Sequence, residues 1–181
     1  MTIAIILHVI GTVLGAGAVT INDLTLVRAI GDGDIGVAYQ KSARAYTLLV
    51  WLGLVLILGS ALYMALSTSW VMQSEKVLTK LFLVAVLTIN GVLMGRFLLP
   101  RIDALTKADW QDRTPKLRTL VLAGVFPGAL SVTSWYTTLI LGAAGRQAWT
   151  PEQMLGWYLI ALGLVWAVAS LTVKWRLRPR S

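Results

Sequence analysis

Between Lys80 and Pro100 the chain reads Lys-Leu-Phe-Leu-Val-Ala-Val-Leu-Thr-Ile-Asn-Gly-Val-Leu-Met-Gly-Arg-Phe-Leu-Leu-Pro, an apolar run of membrane length carrying a cation, an amide and a second cation. A run of roughly 20 apolar residues crosses a bilayer as a helix, because a helix satisfies its own backbone N–H and C=O groups without water. Charge inside hydrocarbon is expensive, so Lys80 and Arg96, near opposite ends of the run, either snorkel to headgroups or face a polar interior. Asn90 lies mid-run with no such exit, and is expected to find a partner on a neighbouring helix.

Four further runs obey the same length rule. Spans are expected at about Thr2–Ile21, Tyr46–Leu66, Val77–Leu99, Thr119–Ala144 and Met154–Val173, giving one all-α transmembrane domain of five helices over residues 1–181. With 57% hydrophobic residues, 13% charged and a mean hydropathy of +0.74, the chain lies outside the range of soluble domains. Its formal charge of +8 sits at the ends of apolar runs rather than on a basic face, which argues against nucleic acid as a partner. The absence of cysteine excludes disulfides, thiolate metal sites and thiol catalysis. No lysine or arginine precedes the first run, so it reads as a retained helix rather than a cleaved signal.

The helical stripe of the first run continues past Ile21 to Ile30, where Gly31-Asp-Gly-Asp34 supplies a turn and an Asp to cap the next helix. Folding back there brings Asp23 opposite Lys41 and Arg44, either as an ion pair at the membrane border or as three solvated charges. Gly53, Gly59 and Ser60 would let the second helix approach a neighbour closely, and Pro127 predicts a kink in the fourth span. Ser67–Glu75 and Arg146–Glu152 read as short loops. Arg101–Arg118, with Trp110, reads as a cytoplasmic loop or a short interfacial helix.

Five spans put the termini on opposite sides, and cations decide which. With the N-terminus outside, thirteen Lys and Arg fall in inner segments, and Lys76, Lys80 and Arg146 in outer ones. That asymmetry predicts an N-out, C-in protein of a bacterial inner (plasma) membrane, with Trp70, Trp149 and Trp157 at the outer border and Trp110 and Trp175 at the inner one.

His8 is the only histidine, followed on the same helix face by Gly11 and Gly15. In this topology Lys80, Trp135, Tyr136 and Tyr63 are expected near the same outer-leaflet level, as an aromatic, basic pocket suited to a flat anionic ligand. An imidazole can coordinate haem iron, so His8 is the metal-ligand candidate; a lysine can ligate or hold a propionate, and Trp135 and Tyr136 can stack or hydrogen-bond. The plainer alternative is a belt of interfacial aromatics and lysine, and for Ser131–Thr138 hydroxyls bonded back to their own helix. Zinc motifs and a phosphate loop are absent, and no carboxylate falls in the expected membrane middle, which argues against an acidic ion pathway. A bis-histidine haem would need a homo-oligomer.

His8 with its glycines, and Lys80-Leu-Phe-Leu-Val-Ala-Val-Leu-Thr-Ile-Asn-Gly91 in the third span, resemble the small membrane proteins grouped around the copper-resistance D-like family and the membrane-bound protoporphyrinogen oxidase of bacteria. The resemblance covers roughly the first three spans. It implies a helical, haem b-binding membrane oxidoreductase whose first-span histidine and third-span lysine would be His8 and Lys80. The Ser134-Trp-Tyr136 patch and the long basic loop depart from that family, and the patch resembles one shared by other bacterial inner-membrane proteins. The expected function is therefore a haem-, porphyrin- or quinone-linked redox protein. An oligomeric channel or small-solute transporter and a non-catalytic membrane subunit are the alternatives.

Overall fold

The computed structural model describes residues 2–33, 37–67, 75–144 and 149–178, except for the side chains of 37–41. Asp34, Trp70, Arg146 and Arg180, the side chain of Lys41, and residues 68–74 and 146–148 of the two expected loops lie outside the described residues. Among those described there is no strand, and five helices are long and apolar enough to cross a membrane. They are α1 (Thr2–Asp32), α2 (Val37–Ser67), α3 (Glu75–Leu93) running through a π-helical turn (Met94–Leu98) into α4 (Leu99–Asp103), α6 (Pro115–Ala143) and α7 (Pro151–Arg176). A short α5 (Lys107–Gln111) links α4 to α6.

All five spans outrun the hydrocarbon, α1 the furthest past its expected end. At 1.5 Å per residue α1 is about 46 Å long, against about 30 Å of bilayer core. It continues past Ile21 to Asp32, and Gly33, at φ 68°, makes the left-handed turn that starts the return. Between lipid-solvated helices the hydrophobic effect supplies no association, so close van der Waals packing must. Gly11, Gly15 and Gly53 provide it: a Cβ on Gly11 would lie 2.8 Å from the Gly53 carbonyl oxygen, and one on Gly53 2.6 Å from that of Gly11. Gly59 does not join this contact, since its Cβ position meets nothing within 4 Å; its face of α2 is turned away from α1.

Helix α6 is central, touching α1, α3 and α7. Helices α2 and α3, although consecutive, scarcely pack against each other; Trp51 of α2 reaches across to Gly91 of α3, 3.7 Å from where its Cβ would be. Asn90 has the interhelical partner its position demands, donating its amide to the Pro127 carbonyl oxygen of α6 at 2.9 Å. That bond sits one turn before the π-helical turn of α3 and at the proline of α6, the two places where the regular helical ladder is broken.

The end of the bundle holding Gly33 is closed by the segment expected as a loop. Thr106 and Asp109 form a reciprocal cap on α5: the Thr106 N–H and hydroxyl donate to Asp109 Oδ2, and the Asp109 N–H donates to Thr106 Oγ1. These bonds from Thr106, with a further one from Thr114, hold the Asp109 carboxyl below the usual carboxylate range. Trp110 does not face outward as a border aromatic would. Its side chain is fully buried in a cluster with Ile30, Leu117, Val121 and Val173, because the α5 cap turns it inward beneath the ends of α1, α6 and α7. Arg113, in the left-handed region at φ 49°, donates to the Gly31 and Arg178 carbonyl oxygens and so ties α1 to the C-terminal end of α7. Trp149, Trp157 and Trp175 remain exposed on the bundle surface.

Candidate functional site

His8 projects from α1, half-buried, toward Ser60 of α2, with Nδ1 and Oγ 2.9 Å apart. The Ser60 hydroxyl proton is directed at the α2 backbone, with the Ile57 carbonyl oxygen 3.0 Å away. When Ser60 gives its one proton to the α2 backbone it accepts from His8, and Nδ1 then carries the hydrogen. The other ring nitrogen, Nε2, is left with its lone pair. This is the arrangement that orients an imidazole to ligate or accept through Nε2.

Lys80 of α3 comes to the same end. Its ammonium lies beside α6, 3.5 Å from where a Gly142 Cβ would be. Lys80 makes no hydrogen bond or ion pair among the described residues. His8 near the start of α1 and Lys80 near the start of α3 thus lie toward the same end of the bundle as Gly142 of α6.

The aromatic members do not join them. Trp135 is fully buried, its indole ring lying against Gly15 within a cluster of Ala16, Val19, Leu54, Ile57, Val84 and Leu87. Tyr136 shares a hydrogen bond with Thr20 at 3.0 Å, and Thr20 is twelve residues along α1 from His8, about 18 Å of helix. The register of α6 on α1 places both rings deeper than the histidine. Tyr63 is exposed on α2. The hydroxyls of Ser131–Thr138 behave largely as local bonds: Ser134 bonds to the Leu130 carbonyl and to Tyr158 of α7, and Thr138 to the Trp135 carbonyl.

The donor set therefore fits an axial imidazole with a cation beside it, and does not fit an aromatic clamp on a porphyrin ring. No group of three His, Asp or Glu that could hold a metal ion alone occurs among the described residues.

The larger concavity lies elsewhere. A cavity of about 590 Å³ is walled by α1, α2, α3 and α6, and of the four expected site residues only Trp135 borders it. Asp23, Arg44, Asn90 and Ser131 also border it among mainly apolar side chains. Asp23, expected at the membrane border, is half-buried against α6. Because α1 remains helical to Asp32, Asp23 sits ten residues before the Gly33 turn and its Oδ2 lies 3.8 Å from the Cβ position of Gly128, thirteen residues into α6. Its expected ion pair with Arg44 does not form among the described residues, although both border the cavity. The signal was present: Asn22-Asp23 interrupts a helical stripe that resumes and continues to Ile30.

No protein-family description, curated protein or solved structure matches this chain.

Proposed function

We propose that this multi-pass membrane protein holds an anionic or carbonyl-bearing redox ligand, of the haem b or quinone class, at the His8–Lys80 end of the bundle. One observation carries the reading: the Ser60 hydroxyl holds the His8 ring at Nδ1, so that the Nδ1–H tautomer would leave Nε2 to a ligand, at the end of the bundle that also holds Lys80, whose ammonium has no acceptor among the described residues. His8 would be the iron ligand and Lys80 the partner of a propionate or a quinone carbonyl. Haem bound there would supply one-electron chemistry. The protein's own part is to orient the imidazole through Ser60, to present a fixed positive charge, and to keep the site partly out of water. The cation asymmetry of the sequence supports placing this end at the outer face of a bacterial inner membrane.

Protein purified gently from haem-replete cells should show a Soret band, with His8→Ala abolishing or strongly shifting it. Lys80→Ala should weaken retention or alter the ferric spectrum, and Ser60→Ala should shift the band more modestly by freeing the ring. Each variant is first confirmed as folded by its elution and thermal transition in detergent. Folded wild type that carries no porphyrin and takes up neither supplied haem nor a short-chain quinone overturns the proposal in favour of a transporter or a membrane subunit.

A further inference from the structure

The cavity between α2 and α3 presents an electrostatic problem that the protein does not solve by itself. Asp23 on α1 and Arg44 on α2 carry opposite charges and border the same 590 Å³ space, yet no ion pair joins them. Among the described residues the one hydrogen bond to the Asp23 carboxylate comes from the neighbouring Asn22 amide, at a long 3.5 Å. Arg44 makes none among the described residues. Asn90, which could have served Asp23, is committed to the Pro127 carbonyl oxygen. A third charge at the rim, Asp103, is exposed.

A half-buried carboxylate on a mainly apolar wall, with no counter-charge among the described residues, is costly unless an occupant supplies one, and Arg44, exposed at the rim, leaves its guanidinium available to the same occupant. The remaining wall is mostly apolar, with Leu54, Leu87 and Leu98 among its members. Helices α2 and α3 scarcely pack where Trp51 meets Gly91, and both are long and apolar enough to span, so in a bilayer a gap between them meets acyl chains. An occupant must therefore carry an ammonium and an acidic group close together and a long apolar tail, and must enter from the membrane.

We infer that the α2–α3 cleft binds a zwitterionic phospholipid of the phosphoethanolamine class, its ammonium on Asp23, its phosphate on Arg44 and an acyl chain leaving past Trp51. The primary ammonium donates charge-assisted hydrogen bonds to the carboxylate, and the guanidinium forks onto phosphate oxygens. Gly128 leaves the room beside Asp23 Oδ2 that the headgroup needs. This inference is independent of the His8–Lys80 reading and stands or falls separately from it.

The test uses the full chain, delipidated in detergent and then offered defined lipids, with bound lipid counted by native mass spectrometry. Wild type should retain phosphatidylethanolamine about tenfold better than phosphatidylglycerol, which has the phosphate without the ammonium, and better than diacylglycerol, which has neither. Asp23→Asn should remove the preference for phosphatidylethanolamine over phosphatidylglycerol, and Arg44→Gln should lower retention of both. Soluble phosphoethanolamine should fail to displace the lipid; displacement at matched concentration would show a site for the free headgroup and overturn the lipid assignment. Equal retention of all three lipids by wild type also overturns it. A phospholipid with a photoreactive acyl chain gives a check that needs no variant. It should cross-link to residues 48–54 and 91–98, and labelling confined to other surfaces counts against the cleft.

Discussion

Glycine 15 shows how much a single position decides in this bundle. The Trp135 indole occupies the volume that a Cβ on Gly15 would need, closer than side chains ever approach, so the ring is fully buried only because residue 15 has no side chain. Gly15→Leu should force the indole out of its cluster and lower the thermal transition in detergent by the equivalent of about 1–3 kcal/mol or more. Gly17→Leu is the control, since its Cβ position meets nothing within 4 Å, and its transition should stay near that of wild type. Equal transitions for the two variants would show that Trp135 packs elsewhere. His8 and Lys80 were legible as site candidates because a lone imidazole and a lysine in apolar runs have few plain uses. Trp135 and Tyr136 misled because depth along a helix can be counted from sequence, whereas the direction in which a ring points depends on the helix it meets.

Among the elements, α5 makes the clearest link between local chemistry and architecture. Five residues are too few to hold a helix by propensity, so its Thr106–Asp109 cap and the burial of Trp110 must do so. Asp109 is held below its ordinary value by hydrogen bonds that only the carboxylate accepts in full, so the folded state binds its proton less readily than the unfolded chain does. The sign follows: this contribution is present above the ordinary Asp value of 3.8 and is lost as pH falls through the lower, folded value. Asp109→Asn should therefore lower the thermal transition at pH 7, with the gap to wild type closing under acid conditions. A gap that persists unchanged at low pH would mean that the carboxylate charge is not what the cap uses. The same segment was expected as a loop or a short interfacial helix with Trp110 as a membrane anchor. The capping residues were readable, but the inward turn of the indole was not, because it depends on the ends of α1, α6 and α7 meeting above it.

For the whole molecule, the cation asymmetry predicts orientation, and tags report it. A tag at Met1 or within residues 67–75 should be accessible from outside the cell, and tags near Lys107 or after Ser181 only from the cytoplasm; a cytoplasmic N-terminus would reverse the assignment of His8 and Lys80 to the outer face. The number and position of the spanning helices, the hairpin turn near Gly33, the glycine face of α1 and the need of Asn90 for a partner were all determined by the sequence. Each follows from run length, from residues with one conformational or hydrogen-bonding option, or from the cost of an unsatisfied amide in hydrocarbon. Only the tertiary structure decided that α6 rather than α2 would be the neighbour of α3, that Trp135 would fill the centre instead of facing a ligand, and that Asp23 and Arg44 would border one cleft without touching. Those outcomes depend on the order and register of helices whose outer surfaces are uniformly apolar. In lipid such surfaces do not dictate which helix packs against which, so the choice falls to a few small residues and interhelical hydrogen bonds whose partners lie far apart in the chain.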